Sequence, residues 1–222
     1  MMTRVIRPAM PALIIWATLI SPRAAHAQIG AGLTIGPSLQ QKGDSDPINL
    51  GSGLGGTTVG GVTFLDAALG SHLSLGGEVS LGSDLKGGQV RLTPIGITSL
   101  STRHKDTVFS GVLKGKIARA SKAQIDGTVG LGASWRHTVR YGTSRSLVPP
   151  LTSSPVNETL SNAVFATTVG LDTMLNVSPR TAMLFTMRFH LLNDDDRDPS
   201  GFVRRGVESS IFRFGGGALI RF

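Results

Sequence analysis

The stretch Val207–Phe222, VESSIFRFGGGALIRF, decides how the rest of the chain is read. Its even positions are Phe212, Phe214, Gly216, Ala218, Ile220 and Phe222, and the odd positions between them include Arg213, Gly215, Gly217 and Arg221. One face is apolar and the other carries cations and glycine, at the period of two that a β-strand imposes.

The composition fits a chain built of such strands. The 222 residues hold 29 glycines and no cysteine, which excludes disulfides and cysteine-ligated metals. Charged residues make up 16%, against about 25% in an ordinary soluble domain. Past the N-terminal segment no run approaches the roughly 20 apolar residues that a membrane helix needs. The N-terminal segment has another purpose. Arg4 and Arg7 precede the short apolar run Ala12–Ile20, and Ala25-His26-Ala27 supplies a small-x-small cleavage site before Gln28. Residues 1–27 are therefore expected to be a removed signal peptide, and 28–222 a single domain.

Within that domain the period of two recurs. Gln28–Ile35 is apolar at every odd position; Thr57–Leu69 alternates weakly; His72–Gly82 sets Leu73, Leu75, Val79 and Leu81 against Ser74, Gly76, Glu78 and Ser80. Thr107–Ala118, the stretch from Ile125 to Tyr141, Ala163–Val177 and Thr181–Asn193 follow, before the final strand. Gln41–Gly55, Gly142–Ser161 and Asp194–Arg205 read as long polar loops, whereas Gly70-Ser71, Ser121-Lys122-Ala123 and Ser178-Pro179-Arg180 read as tight turns. Gln89–Thr98 either extends the third strand or forms a hairpin of its own. Eight strands with long and tight connections in alternation are expected of an antiparallel up-and-down transmembrane β-barrel, with short turns at one end and loops at the other.

Across strands three to seven the apolar face carries no Asp, Glu, Lys or Arg. A Lys or Arg there would cost about 2–4 kcal/mol at the bilayer midplane. A soluble barrel turned the other way would share the alternation, but its polar face would favour Lys and Glu over the Gly, Ser and Thr found here. Small residues suit the narrow interior of an eight-stranded barrel. By parity the lumen holds Asp66, Glu78, Asp126 and Asp172 with Lys114, Lys116, Arg136, Arg140, Arg188, Arg213 and Arg221, and His190 shares their face. Enclosed charges must pair, and Glu78 with Lys114, on neighbouring strands, is the expected pair. Such a network fills and rigidifies a barrel; the alternative is a narrow pore for small solutes.

The signal peptide, the eight strands and the terminal Gly217, Ile220 and Phe222 together resemble the small OmpA/OmpX-like outer-membrane barrels. Gly217, Ile220 and Phe222 are similar to the insertion signal of that family, although Gly215 stands where a polar residue is usual. The resemblance implies a monomer in the bacterial outer membrane, inserted by the barrel-assembly machinery and surrounded by lipid and lipopolysaccharide. It implies roles in envelope integrity, adhesion or solute leakage. Arg188-Phe189-His190-Leu191-Leu192-Asn193 is similar to the histidine segment of the lipid A deacylases, but Leu192 replaces their serine nucleophile, and no enzyme activity is expected. No cofactor, metal or nucleic-acid partner is expected either. Asp194, Asp195, Asp196 and Asp198 read as a solvated loop tip, and Arg103, Lys105, Arg145, Arg197, Arg204 and Arg205 lie on or near the outer loops, where they could meet lipopolysaccharide phosphates.

Overall fold

The computed structural model describes residues 28–41, 49–50, 56–193 and 209–222. The expected signal segment with Ala25 and Ala27 lies outside them, as do the acidic loop 194–198 and Arg204 and Arg205; Gln28 leads directly into the first strand. Ten strands run in order: β1 (Ile29–Gln41), β2 (Asn49–Leu50), β3 (Gly56–Ala68), β4 (Leu73–Gly82), β5 (Leu85–Thr93), β6 (Gly96–Arg119), β7 (Ala123–Ser146), β8 (Ser153–Asn176), β9 (Thr181–Asn193) and β10 (Ser209–Arg221).

Eight of them close a ring. β1, β3, β4, β6, β7, β8, β9 and β10 pair in that order, all antiparallel, and β10 returns to β1 with Leu33 opposite Ala218. Closure leaves the ring no free edge, which lets its backbone sit in hydrocarbon. The outward faces are apolar: Leu131 is 62% exposed, Phe165 53% and Phe185 45%. Inward positions are filled: Lys114 is 2% exposed and Arg136 6%. The alternation read from the sequence is thus polar-in and apolar-out, the polarity of a transmembrane β-barrel.

Two expectations need correcting above the ring, and one open alternative is resolved there. Gly142–Ser161 is not one long loop: β7 continues to Ser146 and β8 begins at Ser153, joined by a short connection. Both faces are polar there, so alternation of hydropathy vanishes although the ladder persists, Tyr141 opposite Asn157. Gln41–Gly55 contains the two-residue β2, paired with Arg91 and Val90. The region around Gln89–Thr98 combines both of its sequence alternatives. β5 extends β4 along β6, with the sum of partner numbers shifting by one between Leu81↔Thr107 and Leu85↔His104, and it forms a hairpin with β6. A slip of this kind, with an extra residue on one strand, is what a β-bulge produces. β5 and the upper halves of β6, β7 and β8 therefore form a sheet that rises from one side of the ring.

Candidate functional site

The ring's inward residues make the one enclosed assembly of ionisable groups among the described residues, and β9 spells out its layers. Its inward side chains are, in order from the short-turn end, Ala182, Leu184, Thr186, Arg188, His190 and Leu192. Ala182 and Leu184 join Val62, Phe64, Met174 and Leu219 in a lower apolar cluster. Leu192 joins Val108, Val164, Ala166 and Ile211 in an upper one. Each fully buried leucine of this kind contributes about 1.5–3 kcal/mol. The sequence reading assigned the lumen only polar contents; these two apolar layers, with Phe64 turned inward, were missed. Weak alternation in Thr57–Leu69 was the available signal.

Between the layers lies the ionic chain. Arg188 Nε donates to Glu78 Oε2 at 2.8 Å, and its Nη1 stands 2.7 Å from Asp172 Oδ1. Lys114 Nζ stands 3.0 Å from Asp172 Oδ2 and 3.0 Å from Asp66 Oδ2. It also lies 3.1 Å from the centre of the Phe64 ring, a cation–π contact made in a desolvated place. The expected Glu78–Lys114 pair is therefore replaced by two others. On the β4–β6 ladder Glu78 faces Ser110 and Lys114 faces Ser74, four residues apart, so each finds a nearer partner across the lumen. Asp172 has both oxygens at ion-pair distance but neither contact has hydrogen-bond angles; Glu78 Oε1 and Arg188 Nη2 lack a protein hydrogen-bond partner among the described residues. Gly170, opposite Arg188, makes the room: a Cβ there would come within 2.8 Å of Arg188 Cδ.

One level up, hydroxyls take over from carboxylates. Arg213 Nε donates to Ser38 Oγ at 3.1 Å, and Nη1 donates to Ser80 Oγ. Ser80 meets His190 Nε2 at 3.0 Å, and His190 Nδ1 meets Thr168 Oγ1 at 2.9 Å, itself 2.9 Å from Ser110. Ser80 Oγ thus lies between the guanidinium that donates to it and the His190 ring. This serine–histidine contact was not visible in the sequence. Both side chains are sealed (1% and 0% exposed) and the serine is held by a guanidinium, so the pair has neither access nor an activated nucleophile. Leu192, where the deacylase segment has serine, packs in the upper apolar layer.

At the long-hairpin end a second cluster gathers around Asp106. It accepts from Gln40 Nε2 at 3.0 Å and Arg136 Nε at 3.2 Å, and stands 2.7 Å from His104 Nε2. Asp106 and His104 were missed because the fourth strand was read from Thr107; continuing its even parity upward by two steps would have found both. With Asp106 added and Arg140 placed above the lumen, the expected surplus of seven cations over four carboxylates becomes six over five among the described residues. Arg140 is higher still, 3.9 Å from Glu158 and half-exposed.

At the opposite, short-turn mouth the lumen opens into a cup of about 500 Å³. Lys116 there donates to the Ser71 carbonyl at 2.6 Å, Asp126 accepts from Gln124 at 2.8 Å, and Arg221 donates to Asn176 Oδ1 at 2.8 Å. Gly217 lies between Thr34 of β1 and Leu184 of β9, while Ile220 and Phe222 are exposed on the outer wall.

No family model and no curated protein matches the chain. Solved structures similar to it include Ail, the attachment invasion locus protein of Yersinia pestis, at 10% identity over 88% of this chain and 100% of that one, with a TM-score of 0.46. A major outer membrane protein from Thermus thermophilus covers 89% of this chain and 100% of its own at 13% identity and a TM-score of 0.47. Neisserial surface protein A covers 88% and 96% at 9% identity and a TM-score of 0.45. At such values the assignment rests on the chain's own geometry. By its closed antiparallel ring of eight strands, its apolar exterior and its enclosed charges, the chain has the architecture of a small transmembrane β-barrel.

Proposed function

We propose that the protein is a non-enzymatic envelope barrel whose lumen is plugged and whose work is done by the sheet above the ring, as an adhesive surface. The observation that carries this reading is the contrast within β8. Residues from Phe165 to Asn176 pair on both sides, whereas residues 153–164 pair, among the described residues, with β7 alone. The upper half thus presents an edge to which another chain's strand can add, with main-chain hydrogen bonds for affinity. The plug is supported by the two apolar layers and the ion-paired layer between them, in which Arg188, Leu184 and His190 are each 0% exposed. Insertion from the periplasm by the barrel-assembly machinery, through Gly217, Ile220 and Phe222, belongs to the same reading, as do a monomeric state and a surround of lipid and lipopolysaccharide.

The test has two arms. In planar bilayers the purified barrel should give no steady conductance; ohmic steps would replace the plug with a narrow pore. Cells displaying the protein should bind a surface through the upper sheet, and Thr159→Pro, which stiffens the edge without reaching the ring, should reduce that binding while the heat-modifiable gel shift is kept. Undiminished binding would remove the edge from the account.

A further inference from the structure

Ionic side chains on the outer wall are confined to one arc among the described residues. Arg103 and Lys105 project outward from β6; His137 of β7 is opposite Lys105, and Lys86 of β5 is opposite Arg103. All four are exposed. Arg103, Lys105 and His137 share a concavity of about 420 Å³ with Tyr141, Val139 and Asp84. Among the described residues, no carboxylate comes within ion-pair distance of Lys86, Arg103 or Lys105. His137 spends only Nδ1, on Ser161 Oγ at 2.9 Å, which leaves Nε2 for another partner.

The height of the cluster is set by the ladder. The outward pair below Lys105↔His137 is Thr107↔Trp135, followed by Phe109↔Ala133, Gly111↔Leu131 and Leu113↔Val129. Two residues of strand span about 7 Å, so the cations begin about 7 Å above a tryptophan, the side chain that marks the membrane interface. Below it the wall is apolar. On the far side of the ring the corresponding outward positions of β1, β3 and β9 (Leu39, Val59 and Leu191) carry no charge. A solubilising surface would spread its charge around the ring; this one concentrates cations at headgroup level on a single arc.

We propose that this arc binds the phosphorylated sugar headgroup of an outer-leaflet glycolipid. Arg103 and Lys105 take a phosphate in charge-assisted hydrogen bonds, the guanidinium offering its paired donors. Lys86 adds charge from the next strand, and the Tyr141 hydroxyl and His137 Nε2 serve sugar hydroxyls. Asp84 opposes the anion and sets an upper limit on affinity. The proposal rests on the reading that the ring spans the outer membrane with its long hairpins outside.

The test uses the barrel folded in detergent, with bis-phosphorylated lipid A, its dephosphorylated form and inorganic phosphate as probes. Trp135, beside the cluster and the only tryptophan beyond residue 16, reports binding by fluorescence. Lipid A should bind and its dephosphorylated form should bind at least tenfold more weakly, because the charge-assisted contacts to phosphate are lost. The double variant R103Q/K105Q should lose about tenfold or more, Asp84→Asn should tighten binding, and Arg119→Gln with Lys122→Gln at the other end should change nothing. A heat-modifiable gel shift confirms that each variant is folded. Equal weakening by the two double variants, or inorganic phosphate binding as tightly as lipid A, would overturn the site. Failure of the wild-type chain to enter lipid vesicles would instead overturn the membrane reading beneath it.

Discussion

β8 is one strand in two environments, and the two halves obey different rules. From Phe165 down it lies in the closed ring, with Phe165, Val169, Leu171 and Leu175 outward and Thr168 and Asp172 sealed inside. From Asn162 up it faces water, with Pro155, Asn157, Thr159 and Ser161 outward and only one neighbour among the described residues. In hydrocarbon an unpaired backbone group has no water to turn to, so the lower half must be paired on both sides. Above the rim water supplies that partner, and an edge is tolerated. The same difference holds for charge. Glu78, Asp172, Arg188 and Lys114 are locked together below; Arg103 and Lys105 stand open above.

If this contrast is right, substitutions should lose force from the lumen outward. The largest effect is expected from Arg188→Ala, which strands Glu78 and removes one of two cations from Asp172. Leaving a buried charge unpaired costs about 3–5 kcal/mol, read as a lower urea midpoint for unfolding in lipid vesicles. Replacing the pair together, Glu78→Gln with Arg188→Met, should recover part of that loss; no recovery would mean that the cost lies in packing. Next comes Leu131→Arg on the lipid face, expected to lose about 2–4 kcal/mol in the same assay. An effect near zero would mean that this wall does not face hydrocarbon. The smallest is Glu158→Ala in the upper sheet. Its half-exposed contact with Arg140 is worth about 0.2–1 kcal/mol, so ring stability should hardly move. A loss as large as that of Arg188→Ala would show that the upper sheet and the ring unfold as one unit.

Legibility followed the same boundary. Where one side of a strand meets hydrocarbon and the other meets the lumen, hydropathy alternates, and Thr181–Asn193 was read to its observed limits. Where both sides meet water the alternation disappears, and the upper halves of β7 and β8 were read as loop. Asp106 and His104 were lost at that boundary. Phe64 was obscured for a different reason: an aromatic ring inside a narrow barrel breaks the alternation, and it fits because Gly32, opposite on β1, has no side chain to meet it.

The sequence by itself determined which residues of a ring strand share a face, because a strand's parity is a local property of two backbone dihedrals per residue. It also determined the number of ring strands and which ends are short. Only the tertiary structure decided who meets whom inside. Glu78 of β4 meets Arg188 of β9, and Ser80 of β4 meets Arg213 of β10, across the lumen and 110 and 133 residues apart in the chain. Parity gives a direction but neither a height nor a bearing around the axis. Those follow from the tilt and stagger that closing the ring imposes on all eight strands at once.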